Sequence, residues 1–484
     1  MVTAKIPQAR IVRAQLQLCR KTHHKNRARP KTPTGASNQP APNTNASGWP
    51  QETRKRQETP DDKLGQMNKP KAHLGFLGLC CGVGVSTIYL CQPLLPEMGS
   101  TFGVNAAAAG QIGVFTQVGY AIGMLTVTPM GDIRERRGMI QLMFGLAAVA
   151  LLMEACAPTL PLLLLLAAVA GFMACVTHLV LPIAADLAAP EQRGKAIGAV
   201  MTGLLSGVLL GRTFAGWLSE GVSHLTHRIA SWRVVFAVAA LISAALVPMI
   251  GRMMPLLPPK ERLTYPQAMR SLWDILRDEP LLRESCLMGG LCFGAFSAFW
   301  NTFAFVMASH GLGAAATGSF GLVATAGALG ASIWGNLADR RGPRYVLSVG
   351  MVILSLAYSG MYLAEHFATH AQAAGHFRAL PYVLALGFAV VWMDVGMQSI
   401  QIGNQARNFA LRPEARSRLN TLYMTAYFIG GSIASAFSPI LWQHFGAAGI
   451  TALEFVVIAL AVLRHVTGKP TRHAAEIAPY AVAE

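Results

Sequence analysis

The sequence predicts an all-α membrane protein of twelve transmembrane helices in two similar halves of six. Three observations predict it. Charged residues make up 13% of the 484 while hydrophobic ones make up 53%, too little charge for a water-soluble domain of this size. Apolar stretches of about 19 to 25 residues, enough to cross about 30 Å of hydrocarbon at 1.5 Å per residue, recur along nearly all of the chain after residue 73. Two short basic segments, GDIRERRG at Gly131 to Gly138 and GNLADRRG at Gly335 to Gly342, each follow an apolar run, and their aspartates lie 207 residues apart (339 minus 132).

The expected spans are 74–95, 108–130, 138–156, 160–184, 196–218, 234–254, 285–308, 314–337, 344–364, 380–402, 420–443 and 446–464. Lysine and arginine set their orientation. With both termini cytoplasmic, the cytoplasmic connections hold 21 and the outer ones three (Arg228, Arg233, Arg378). The net charge of +17 is thus a topology signal plus a basic N-terminal segment, and no base-reading module accompanies it.

Residues 1–73 carry 15 Lys/Arg against four acids and no signal-peptide run, and are expected to be disordered. They form either an arm for anionic lipid or a stretch upstream of a start at Met67. The remaining divisions are a six-helix half at 74–254, a cytoplasmic linker at 255–284, a second half at 285–464 and a cytoplasmic tail at 465–484. A second landmark supports the duplication. Pro190-Glu191-Gln192-Arg193 recurs as Pro413-Glu414-Ala415-Arg416 at an offset of 223, so about 16 extra residues are expected between the landmarks, in a loop from Glu365 to Ala379. The eight cysteines sit mostly inside spans without metal-ligand spacing and read as small core residues. No metal site, cofactor or catalytic constellation is expected.

GNLADRRG, with the strings YLCQPLLP, GYAIGMLTVTPMGD, WMDVGMQ and YFIGGS, resembles the major facilitator superfamily, and within it the bacterial drug:proton antiporters, over about residues 74–464. The resemblance implies the two-half fold, a monomer in the bacterial inner membrane, and alternating access to a midplane site for a small-molecule substrate and protons. The GNLADRRG loop then acts in gating: Gly335 lets helices approach, Asp339 faces a helix N-terminus, and Arg340, Arg341 and Arg344 stay at the lipid headgroups. In the first copy, with Asp132, Arg136 and Arg137, Thr128 replaces the family's glycine and Ile133 its arginine, so the weaker latch is expected there. Two further departures speak against proton antiport. Val208 and Arg212 replace a proline and a glycine of the helix-five pattern, and Ala167 stands where helix four usually has arginine.

Ionisable residues inside a bilayer are costly and so mark function. Asp394, mid-span in helix ten, is the expected proton carrier. Arg212, about 11 Å higher by residue counting, is expected to hold an anionic group or to poise Asp394 at long range. Glu154 and Glu454 are expected to be structural and to reach the interface from the outer ends of helices three and twelve. Tyr89, Gln92, His178, Trp300, Asn301 and Gln398 are the candidate substrate contacts. No GxxxxGK[ST] string occurs, so an ion gradient is the expected energy source. Proton-coupled export of a small organic compound is the leading expectation. Uptake of a sugar or organic anion with protons is the alternative, and a non-transporting receptor is a third.

Overall fold

A computed structural model describes residues 74–188, 192–225, 229–257, 264–328, 330–412 and 415–468. The N-terminal segment 1–73, its Cys19, Arg228, much of the two Pro-Glu turns and the tail beyond 468 lie outside the described residues. Among the described residues every regular element is helical. Helix one is broken: α1 (Leu74–Ser86) gives way to a turn, a short 3-10 segment (Gln92–Leu94) and α2 (Leu95–Phe102). Then follow α3 (Ala106–Ile133), α4 (Arg136–Ala155), α5 (Leu160–Ala174) with α6 (Thr177–Leu187), α7 (Arg193–Leu225) and α8 (Ser231–Met253). The linker holds α9 (Tyr265–Asp278). The second half is α10 (Pro280–Ser309), α11 (Ala314–Ala328) with α12 (Ala331–Arg341), α13 (Pro343–Ala373), α14 (Ala379–Leu411) and α15 (Arg416–Thr467).

Nine of these helices are long and apolar enough to cross a membrane, among the described residues. The longest, α15, runs 52 residues but is two spans, because Gly446 takes a left-handed conformation (φ 58°) that turns the chain between helices eleven and twelve. Span one is broken after Ser86 and span eight contains residue 329, outside the described residues, so neither meets the length criterion; counting them restores the expected twelve.

Several boundaries differ from expectation, helix five running to Leu225 rather than 218 and helix ten to Leu411 rather than 402. The residues expected as a loop at 365–379 mostly extend α13 to Ala373, since nothing in LAEHFATHAQA breaks a helix. Helix seven begins at Pro280, whose ring suits a first helical turn. The linker is an amphipathic helix, α9, with Ala268, Leu272 and Ile275 buried against α3 and α15.

Glycines set the closest crossings. The Gly203, Gly207 and Gly211 face of α7 receives α1: a Cβ on Gly203 would stand 2.4 Å from the Gly78 carbonyl oxygen, and one on Gly207 2.1 Å from that of Gly82. The second half repeats this crossing with Gly430 on α15 and Gly290 on α10, where the distance is 2.2 Å. The offsets are 212 (290 minus 78) and 227 (430 minus 203), a difference of 15, so the crossing is duplicated with the extra length between its partners.

Gly207→Val is expected to cost about 1–3 kcal/mol or more through overpacking. Gly198→Val, on the same helix with nothing within 4 Å, should be tolerated. Thermal unfolding of the two detergent-purified variants checks the contrast.

Candidate functional site

The break in helix one opens the site. Between Ser86 and Gln92 the chain leaves regular α-helix, which brings both Tyr89 and Gln92 toward α7. There the Arg212 Nε donates to Gln92 Oε1 at 2.6 Å, and a terminal nitrogen reaches the Val208 carbonyl at 3.4 Å. The guanidinium carbon lies 4.4 Å from the centre of the Tyr89 ring and 4.1 Å from that of Trp300 on α10. Four expected residues thus converge from helices one, five and seven. Arg212 is only 2% exposed, and its Nη2 has no hydrogen-bond partner.

Asp394 on α14 is buried at 9% exposure, and its Oδ2 likewise has no partner. The two opposite charges interact electrostatically but form no ion pair among the described residues. Gln398 lies one turn further along α14, half-buried.

His178 and Asn301 go elsewhere. The His178 Nε2 meets the Tyr120 hydroxyl at 2.8 Å, and Tyr120 packs on Phe428 of α15 with ring centres 4.5 Å apart. Below this contact a cavity of about 300 Å³, lined by Met124, His178, Phe409 and Asn420 among others, lies at the end of the bundle that carries GDIRERRG. Asn301 gives its Nδ2 to two carbonyls, Gly110 on α3 and Ser435 on α15, at 3.2 and 3.0 Å, and so ties three helices together.

The opposite end is sealed by close crossings. A Cβ on Gly110 would collide with Pro439, and one on Gly216 with the Ala314 carbonyl. Thr213 Oγ1 donates to the Gly318 carbonyl, and Glu220 accepts from the Ala315 backbone N–H at the start of α11. The site is therefore closed on that side. A larger groove of about 450 Å³ between helices one, five and six is separate from it, lined mainly by glycines and exposed apolar side chains.

The two basic segments reverse the expected order of strength. In the first, Arg136 is buried and donates to the Gly131 carbonyl (2.5 Å), Asp132 (2.8 Å) and Asp186 (2.9 Å), and a Cβ on Gly131 would meet Leu179 at 2.4 Å. In the second, Asp339, Arg340 and Arg341 are exposed, and a Cβ on Gly335 would meet nothing within 4 Å. The expected approach at Gly335 and the Asp339 contact with a helix end are absent among the described residues. The reason is legible at an offset of 207: Pro343 stands where the first copy has Arg136, and it carries no cation. Arg344 is half-buried. It donates to the His465 and Gly468 carbonyls, as its counterpart Arg137 donates to Met254, so each half ends its last helix on an arginine.

Glu154 and Glu454 do not reach the interface. Both are 2% exposed, on the bundle side of helices three and twelve, each with an unpartnered oxygen. Sequence reasoning missed the cluster of His310, Glu365, Gln372 and Tyr382 at the sealed end. There the His310 ring nitrogens meet Glu365 at 3.0 Å and Gln372 at 2.7 Å. Its signal was present in Glu365, which was assigned to a loop.

The sequence profile described as Major Facilitator Superfamily matches residues 74–435. This chain belongs to that superfamily. The transporter YgaY of Escherichia coli (strain K12) is 35% identical over 402 residues, which are 81% of this chain and 96% of YgaY. The transporter SCO4007 of Streptomyces coelicolor is 27% identical over 383 residues, covering 78% and 84% of the two chains. Among solved structures, an inward-facing, unoccupied bacterial homologue of the human lysosomal transporter Spinster aligns with a TM-score of 0.65 at 16% identity, over 81% of this chain and 95% of that one. The nucleoside transporter NupG aligns with a TM-score of 0.58 at 14% identity, over 81% and 96%. The fold is the two-domain superfamily architecture, and the protein is a multi-pass membrane transporter.

Arg136→Gln should destabilise the protein by about 1–3 kcal/mol, because it removes the buried cation shared by the part-exposed carboxylates of Asp132 and Asp186. Arg340→Gln, at an exposed position, should change stability by less than about 0.5 kcal/mol. Thermal unfolding in detergent compares them.

Proposed function

We propose that this protein is a proton-coupled secondary transporter of the bacterial inner membrane, working as a monomer with both termini cytoplasmic. A small organic compound binds where helices one, five, seven and ten meet, with Arg212 and Asp394 as the coupling pair. The halves at 74–254 and 285–464 rock about this site. The observation that carries the reading is two buried, opposite charges that do not touch, each with an unpartnered polar atom. A structural ion pair would close on itself and leave nothing for a substrate or a proton to bind.

Asp394 takes up and releases the proton. Tyr89, Gln92 and Trp300 hold Arg212, and Tyr120, His178 and Phe428 separate the site from the cavity at the basic end. With that end cytoplasmic, the sealed opposite end corresponds to an inward-facing state. The Arg136 network braces the first half through these movements, and the exposed Asp339, Arg340 and Arg341 are free to meet a partner surface in the other state. Export in exchange for protons follows the resemblance to the drug:proton antiporters, and uptake follows the cationic character of Arg212.

Everted vesicles containing the protein test the core of the reading. Under an imposed proton gradient and a panel of organic anions, cations and neutral compounds, at least one compound should move protons. Asp394→Asn should reduce that movement to the level of empty vesicles. A compound that moves equally well with Asp394→Asn would remove Asp394 from the coupling step.

A further inference from the structure

The charges at the Arg212 site also restrict what it carries and in which sense the proton moves. With Nε held by Gln92 and two aromatic rings against the guanidinium, the donors left for a ligand are the terminal nitrogens. One has no partner and the other only a long contact with a carbonyl. Two adjacent N–H donors of this kind match the two oxygens of a carboxylate. The Tyr89 and Trp300 rings supply apolar surface for the carbon atoms attached to it.

The empty site is balanced, with one positive and one negative charge. If an anion binds Arg212 while Asp394 stays ionised, one negative charge is left uncompensated in a buried place. If Asp394 is protonated with no anion bound, the positive charge of Arg212 is left alone. Both states are disfavoured by the cost of an unpaired buried charge. The site with anion and proton together is balanced again. Anion and proton binding therefore reinforce one another, whereas exchange in opposite directions requires them to compete. Among the groups that interact electrostatically with Asp394 are Tyr358 from helix nine and Tyr427 from helix eleven, and neither supplies a countercharge.

We propose that the transported compound is an organic carboxylate and that it moves together with one proton, as an electroneutral pair. This rests on Asp394 as the proton carrier and deepens that reading. It selects the uptake alternative over exchange.

The test uses the detergent-purified full chain and benzoate as the carboxylate probe, with benzamide and tetraphenylphosphonium as neutral and cationic controls. Calorimetry in two buffers of different ionisation enthalpy counts the protons exchanged on binding. Benzoate should bind with uptake of close to one proton above the pH at which Asp394 titrates, and its affinity there should fall about tenfold per pH unit. Asp394→Asn should bind benzoate without taking up protons, and Arg212→Gln should not bind it. Arg212→Lys, which keeps the charge, should bind at least tenfold more weakly, and provides the comparison if Arg212→Gln does not fold. Failure of benzoate to bind, binding without proton uptake, or proton release by the cation would each overturn the proposal. If proton movement in everted vesicles still depends on Asp394 in those cases, proton coupling stands and only carboxylate cotransport is lost.

Discussion

A charge buried in an apolar bundle must be compensated, and Arg212 is the point where this constraint acts most strongly. A hydrogen bond to Gln92, a longer one to the Val208 carbonyl and two aromatic rings hold the guanidinium, yet no carboxylate among the described residues contacts it. Helix one is interrupted where its chain must bring Tyr89 and Gln92 to the same cation. Helix five approaches helix one closely enough for this only because Gly203 and Gly207 present no side chains at the crossing. The broken helix, the glycine face and the aromatic pair are thus three parts of one arrangement around a single charge.

The two halves use the same devices with different residues. Each crosses its first and fifth helices at paired glycines, and each ends its last helix on an arginine, Arg137 in one half and Arg344 in the other. They differ where the chemistry differs. Arg136 binds two acids in the first half, and Pro343 at the equivalent place in the second supplies no cation, so the second segment stays exposed. A duplicated fold that kept both networks would be braced alike on both sides. The second half braces its basic end elsewhere, where Glu284 on helix seven pairs with Arg407 on helix ten and Arg464 on helix twelve.

The fold was legible because it rests on long-wavelength signals: apolar length, the lysine and arginine asymmetry, and the repeated basic segment. The convergence of Tyr89, Gln92, Arg212 and Trp300 was legible only as a set of candidates. Each is the chemically costly residue of its helix, but the break in helix one that brings two of them together has no strong marker in STIYLCQP beyond its proline. Asn301 lies apart from that set, its Nδ2 bound to two carbonyls; an amide with that role and one that binds a ligand look alike in sequence. The strength of the two basic segments was misread for a different reason. Resemblance weighs the motif itself, whereas burial depended on Arg136 and on Asp186, which lies outside the motif on helix four.

If Arg212 and Asp394 form one compensated pair across a gap, neutralising either leaves the other uncompensated, and neutralising both relieves that cost. A double-mutant cycle of Arg212→Gln and Asp394→Asn, read by thermal unfolding in detergent, measures this directly. The account predicts that the double variant is more stable than the additive sum of the single changes, by about 0.5–3 kcal/mol. Strict additivity would mean that the two charges are independent, and would contradict the shared site on which the proposed transport cycle depends.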